Sequence, residues 1–294
     1  RKIFNIAIKE GTNMASSSAI LVVLLFTVLF QHTTIALQQN NEVSMGTTIL
    51  AVRYKDGVVV GADTRTSVSG YVSNRYAAKL TFVLDRNVDN FVVTSKKAVS
   101  SGDDDGASST CVICRSGSAA DTQHLASVVR TELVSRQLLY RIGGTVTHVA
   151  SLLRNLLVDN DGLSASLICA GYDHELGRGV IYTITPGGTV FEERSWAVGG
   201  SGSTYIIGHL DSCYPKEDGM MAFQSEDEAV EFVAHAIGLA MERDGSSGGF
   251  IRMYVIDRFG KRFLSKMPSS ESKKNGILDK KMGHSTTLTL RNFA

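Results

Sequence analysis

MGTTILAVRYKDGVVVGAD, Met45 to Asp63, is the stretch that decides the fold. TILAVRY and VVVGAD read as two strands joined by a tight turn at Lys55-Asp56-Gly57. Val58 to Val60 is continuously apolar, so both faces of the second strand are expected to be covered. Working outward, further strands are predicted around Lys79-Leu80-Thr81-Phe82 and around Cys111 to Cys114. Between them, Asp89 to Thr110, ending SSGDDDGASST, reads as an exposed loop. Leu125, Val129 and Leu133 recur at helical spacing, as do Val146, Val149, Leu153 and Leu156 after Thr145. Ser225 with Glu228 forms a capping box before Val230, Val233 and Ile237. SASLICAG, GVIYTI and TVFEERSWAVGG are strand candidates, and FIRMYVID with KRFLS makes a last hairpin around Phe259-Gly260. Hairpins interrupted by amphipathic helices make an α+β pattern, in which two sheets can pack between two helix layers.

Composition sets the outer bounds. With 294 residues, 43% hydrophobic and 20% charged, the chain is globular rather than disordered or coiled-coil. Lys plus Arg 30 against Asp plus Glu 29 leaves +1, which argues against a dedicated nucleic-acid binder. Four cysteines are too few for a disulfide scaffold at this length, and a reducing, intracellular compartment fits them. Cys111 and Cys114 form a lone C-x-x-C without a second pair or a histidine at ligand spacing, so plain thiols are expected and no metal.

The ends differ from the middle. Residues 1–46 read as a leader or propeptide holding an apolar run, Ala19 to Phe30. About a dozen residues falls short of the ~20 that span a bilayer. The run suits a signal-peptide core with Met14 as a start, an unusual propeptide, or translated sequence foreign to the working protein. Residues 47–268 form the expected folded domain, with an insertion near 89–110 that is either an outward loop or a retained intron; 269–294 form a polar tail.

No G-x-S-x-G, H-E-x-x-H, phosphate-binding or dinucleotide motif occurs in context, and His124, His148 and His235 lie on predicted helices without a partner pattern. Six short motifs carry specific information. They are Met45-Gly46-Thr47-Thr48-Ile49, Gly61-Ala62-Asp63-Thr64-Arg65, Asn74-Arg75 before Lys79, Cys114 to Asp121 (CRSGSAAD), Gly199-Gly200-Ser201-Gly202-Ser203, and Arg243 to Gly249 (RDGSSGG). In this order they resemble the catalytic beta subunits of the eukaryotic proteasome core particle, of the caspase-like, beta-1 type, in the N-terminal nucleophile hydrolase superfamily. The likeness runs from about Gly46 to Met267.

The resemblance implies a four-layer αββα sandwich and a threonine endopeptidase that needs no cofactor. Self-cleavage between Gly46 and Thr47 would leave Thr47 as the nucleophile, with its own α-amine, of reference pKa near ~8, as the base. Lys79 matches the active-site lysine and Asp63 its carboxylate partner. Ser201, Asp244 and Ser247 match the residues bracketing the amine, and Gly117 would supply the oxyanion N–H. Arg115 matches the position lining the specificity pocket, where a guanidinium would pair with an acidic side chain. Thr66, Thr81 and Ala119 would line the same pocket, with Ala77 in place of a more usual polar residue. The implied partners are other alpha and beta subunits in a stacked-ring assembly and unfolded polypeptide substrates, in cytoplasm and nucleus, with no nucleic acid and no membrane. Two alternatives stay open. One is a structural ring subunit without chemistry; the other is a secreted or membrane-anchored hydrolase resting only on Ala19 to Phe30.

Overall fold

Alternation and turn chemistry build the first layer directly. In the computed structural model, which describes residues 46–68, 71–85, 109–140, 144–160, 162–214 and 223–267, β1 (Ile49–Tyr54) and β2 (Gly57–Asp63) pair antiparallel around the Lys55–Asp56 turn. Every residue of both strands is buried, as the apolar run requires. β3 (Thr66–Val68) and β4 (Tyr71–Asn74) form a small separate hairpin, which alternation in so short a stretch does not announce. β5 (Leu80–Leu84), β6 (Thr110–Gly117), β7 (Ala165–Asp173), β8 (Arg178–Ile184) and β9 (Val190–Glu193) follow in order as one antiparallel sheet. The other large sheet runs β10 (Trp196–Gly199), β1, β2, β11 (Ile251–Asp257), β12 (Gly260–Lys266).

TVFEERSWAVGG is therefore two strands rather than one. The chain bends at Arg194–Ser195 and crosses from one sheet to the other, where Trp196 to Gly199 pair with β1. The predicted exposed loop also gives up its last two residues. Thr110 opens β6 opposite Tyr172, Ser109 accepts a hydrogen bond from the His174 N–H, and both are buried. The rest of that segment, the leader with its apolar run, and the tail beyond 267 lie outside the described residues.

Among the described residues four helices cover the sheets. α1 (Ala119–Tyr140) and α2 (Val146–Asp159) bury Leu125, Val129, Leu133, Val149 and Leu153 against β5 to β8. Thr145 caps α2 by accepting from the His148 N–H. α3 (Ser203–Cys213), not foreseen from the sequence, and α4 (Glu226–Arg243) cover β1, β2 and β11. Ser225 caps α4 through the Glu228 N–H, as its capping box predicts, although α3 shows its apolar face only at Ile206 and Leu210. Ile49, Ala51, Val58, Val60, Val112 and Ile168 fill the space between the sheets. The layers are helix, sheet, sheet, helix, the four-layer α+β sandwich expected. Cys111 faces α1 and α2 whereas Cys114 faces the inter-sheet core, so the C-x-x-C spans two faces of β6. Among the described residues no His, Cys, Asp and Glu cluster is arranged to hold a metal, and no helix is long and apolar enough to cross a membrane.

Candidate active site

One end of the sandwich gathers the start of β1, the end of β2, the residue before β5, and the segments after β10 and α4. Asp63, the last residue of β2, is fully buried and serves as the hub. Its Oδ1 accepts from Lys79 Nζ at 2.7 Å and from the Thr48 N–H at 2.8 Å. Its Oδ2 accepts from the N–H groups of Gly248 at 3.0 Å and Arg65 at 3.1 Å. Three backbone N–H groups and one cation thus compensate the cost of burying this carboxylate. Lys79 is 8% exposed, and this is no surface pair. Burial pulls its pKa below the ordinary lysine value, and the Asp63 carboxylate opposes that shift.

Lys79 also points at the bond of interest. Its Nζ donates to the Gly46 carbonyl oxygen at 3.0 Å, and the Thr47 hydroxyl donates to the same oxygen at 2.7 Å. Thr47 itself is 4% exposed. Gly46 is fixed by more than freedom of attack. A Cβ there would stand 1.8 Å from Ser246 Cβ and 2.4 Å from the Ser246 backbone carbon, so no side chain fits.

On the other side, the Thr47 N–H donates to Ser201 Oγ at 3.2 Å. Ser201 and Ser247 hydroxyls both donate to Asp244 Oδ2, at 2.7 and 2.6 Å, and the Ser246 N–H donates to Oδ1 at 3.0 Å. Burial alone would raise the Asp244 pKa. The two hydroxyls, the N–H and the Lys79 charge outweigh burial and hold it below the usual carboxylate value. Thr48 Oγ1 lies 2.8 Å from Ser247 Oγ and closes the ring of contacts.

An open cavity of about 200 Å³ adjoins Thr47, lined by Thr66, Ala77, Lys79, Arg115, Gly117 and Ala119 among others. Gly117 has φ +105°, and a Cβ there would meet the Ser164 carbonyl oxygen at 2.4 Å, so only glycine carries the backbone along this wall. Arg115 donates through Nη2 to the Ala78 carbonyl, while its Nε is buried with no partner among the described residues. Burial lowers the pKa of its guanidinium, the response of a cation that lacks a neutralising neighbour.

Thr47, Asp63, Lys79, Ser201, Asp244 and Ser247 thus form one connected network, with Gly117, Arg115, Thr66 and Ala119 on the adjoining cavity. Thr81 departs from expectation. It lines a second cavity with Phe82, Arg130 and Leu138, not the one that holds Thr47. Asn74 and Gln123 line the Thr47 cavity and were not anticipated. Gln123 lies four residues after Ala119 on α1, hence on the same helix face, a spacing that makes it findable. Thr48 joins twice, through its backbone N–H to Asp63, for which side-chain type gives no signal, and through its hydroxyl to Ser247.

The proteasome subunit family model matches residues 43–89 and 107–256. The probable proteasome subunit beta type-1 of Schizosaccharomyces pombe is 39% identical over 223 residues, 76% of this chain and 84% of that protein. Proteasome subunit beta type-1 of Saccharomyces cerevisiae is likewise 39% identical over 223 residues, 76% and 88% of the two chains. Proteasome subunit beta type-6 of Dictyostelium discoideum is 38% identical over 222 residues, 75% and 89% of the two. With the motifs, the four layers and the matches in agreement, this chain belongs to the proteasome beta-subunit family and has its N-terminal nucleophile hydrolase fold.

Proposed function

We propose that the chain is a threonine endopeptidase of the proteasome core particle that cleaves after acidic residues, matured by cutting its own Gly46–Thr47 bond. The observation that carries this is the convergence of Thr47 Oγ and Lys79 Nζ, at 2.7 and 3.0 Å, on the Gly46 carbonyl oxygen. The hydroxyl oxygen adds to the Gly46 carbonyl carbon, and the ammonium of Lys79 neutralises the charge that gathers on the carbonyl oxygen. The C–N bond to Thr47 breaks as its nitrogen takes up the hydroxyl's proton, leaving Gly46 esterified to Thr47 Oγ. That step already frees the α-amine; water then hydrolyses the ester, freeing the Thr47 hydroxyl and releasing the leader with a Gly46 carboxylate.

That amine replaces the N–H now donating to Ser201 Oγ at 3.2 Å. Its neighbours suit a base. The Asp244–Ser201 chain orients it, and Lys79 disfavours its protonated form by like charge. On a substrate the amine takes the Thr47 proton, the oxygen adds to the peptide carbonyl, and the leaving amine takes the proton. The acyl ester is released by water. A Gly117 N–H facing the oxyanion completes the set, a donor of a kind worth about 100-fold or more in rate. Arg115, which lines the cavity, is the recognition element for an Asp or Glu side chain.

A non-catalytic ring subunit is the competing role. The intact set of Thr47, Asp63, Lys79, Ser201 and Asp244 favours the enzyme. Assembly is into stacked rings with alpha and other beta subunits, acting on unfolded polypeptides in the cytoplasm and nucleus, which the four free cysteines suit. The test is hydrolysis of peptides with Glu or Asp before the scissile bond by assembled particles, wild type against Thr47→Ala. Loss of that activity in the variant is expected. Equal activity would assign the hydrolysis to another subunit.

A further inference from the structure

The end of the sandwich away from Thr47 holds a buried charge that the chemistry does not use. Arg53 shares its face of β1 with Ile49 and Ala51 and so enters the layer between the sheets. It is 7% exposed. Its one side-chain hydrogen bond among the described residues runs from Nη1 to the Arg194 carbonyl at 3.4 Å, and its Nε is buried with no partner. A guanidinium has five donors and does not shed its proton, so this is a costly position for a free-standing fold.

Its surroundings carry charge of both signs, Arg178 opposing its charged form and Glu192 favouring it. Arg178, on the opposite sheet, lies 2.8 Å from Glu192 and engages that carboxylate, leaving two cations to one anion. Burial first, and Arg178 second, weigh against the charged form of Arg53. The turns at this end present Leu176 and Phe259, 48% and 74% exposed. Both β2 and β11 bring their turns here, since Gly57 pairs with Asp257, and Gly179 packs on the Gly57 carbonyl. The same turns expose Lys55, Asp56, Glu175 and Arg258, so a buried, under-satisfied cation lies at an end whose surface mixes apolar and charged side chains, as interface rims do.

We propose that Arg53 receives a carboxylate side chain of an adjoining proteasome subunit at this end of the sandwich. The inference rests on membership of an assembling family and not on peptidase activity. The partner's carboxylate would reach the small exposed part of Arg53 and supply an acceptor beyond the Arg194 carbonyl.

Arg53→Met and Arg53→Lys separate this from a structural role. Measured on the full-length chain, Arg53→Met should melt at or above the wild-type temperature, because it removes an unsatisfied buried charge. In competition with wild type for incorporation into the core particle it should lose by about tenfold or more, the scale of truncating a buried interfacial charge. Arg53→Lys should recover part of that loss. Particles that do incorporate Arg53→Met should hydrolyse peptides normally, so a failed peptidase assignment would leave this readout intact. Equal incorporation of Arg53→Met and wild type would overturn the proposal. So would a loss of incorporation matched by a fall in the chain's own melting temperature.

Discussion

Two neighbouring regions share one cavity and are built on opposite principles. Around Thr47 each charged group is fully engaged, with Asp63 taking four donors and Asp244 three. On the cavity wall Arg115 has a carbonyl for one nitrogen and, among the described residues, nothing for its Nε. The first region holds groups in place before any ligand arrives, which is how fixed dipoles stabilise developing charge. The second keeps donors in reserve, so that a ligand with the matching acceptor is favoured and one without it leaves a buried donor unpaired.

The comparison breaks most visibly at Lys79. Lys79→Met in assembled particles should cut peptide hydrolysis by about 1000-fold, near the upper range for one electrostatic donor. It should also destabilise the fold by ~3 kcal/mol, because Asp63 stays buried without its cation. Loss below tenfold would mean that the network does not stabilise the reaction. Next in size is Gly46→Ala. With Ser246 Cβ 1.8 Å from the added carbon, strain of ~1–3 kcal/mol should slow leader removal by about 10- to 100-fold, measured as precursor lifetime on gels. Processing at the wild-type rate would show that the Ser246 contact yields freely.

Arg115→Met probes the reserved donors. The preference for Glu over Leu before the scissile bond should fall about tenfold or more, with hydrolysis after Leu retained. Unchanged cutting after Glu would remove Arg115 from recognition. The smallest effect concerns pH. Since burial lowers the Lys79 pKa from 10.5, activity should decline on the alkaline side before an ordinary lysine would titrate. The unfolded chain keeps that proton up to 10.5, so between the lowered native value and 10.5 this group's contribution to stability rises with pH. Asp244 has the opposite limb. Its pKa is lowered from 3.8, so its stabilisation is present above 3.8 and lost as pH falls through the native value. Parallel rate and melting profiles check both; an alkaline activity loss that tracks unfolding would contradict the assignment to Lys79.

The sequence made these regions legible to different degrees. β1 and β2 stand out because an unbroken Val58 to Val60 run and a Lys-Asp-Gly turn leave few alternatives. α4 is marked by its capping box. α3 escaped because it follows a glycine-rich segment, begins without a side-chain cap, and buries only Ile206 and Leu210. The break at Arg194–Ser195 is hidden for a related reason, as both halves are strands and only the pairing partner changes. In the site, Gly248 and Arg65 stand inside the motifs yet serve Asp63 through backbone N–H groups that side-chain type does not signal, and Thr48 adds a hydroxyl contact to Ser247. Thr81 follows Lys79 by two residues, yet it faces a different cavity, which residue type alone does not foretell.

The sharpest question is what the first residue of the assembled subunit is. Mass spectrometry of the subunit taken from intact particles should find a chain beginning at Thr47 with a free α-amine. A subunit still carrying residues before Thr47 in active particles would leave the hydroxyl without its base and refute the mechanism.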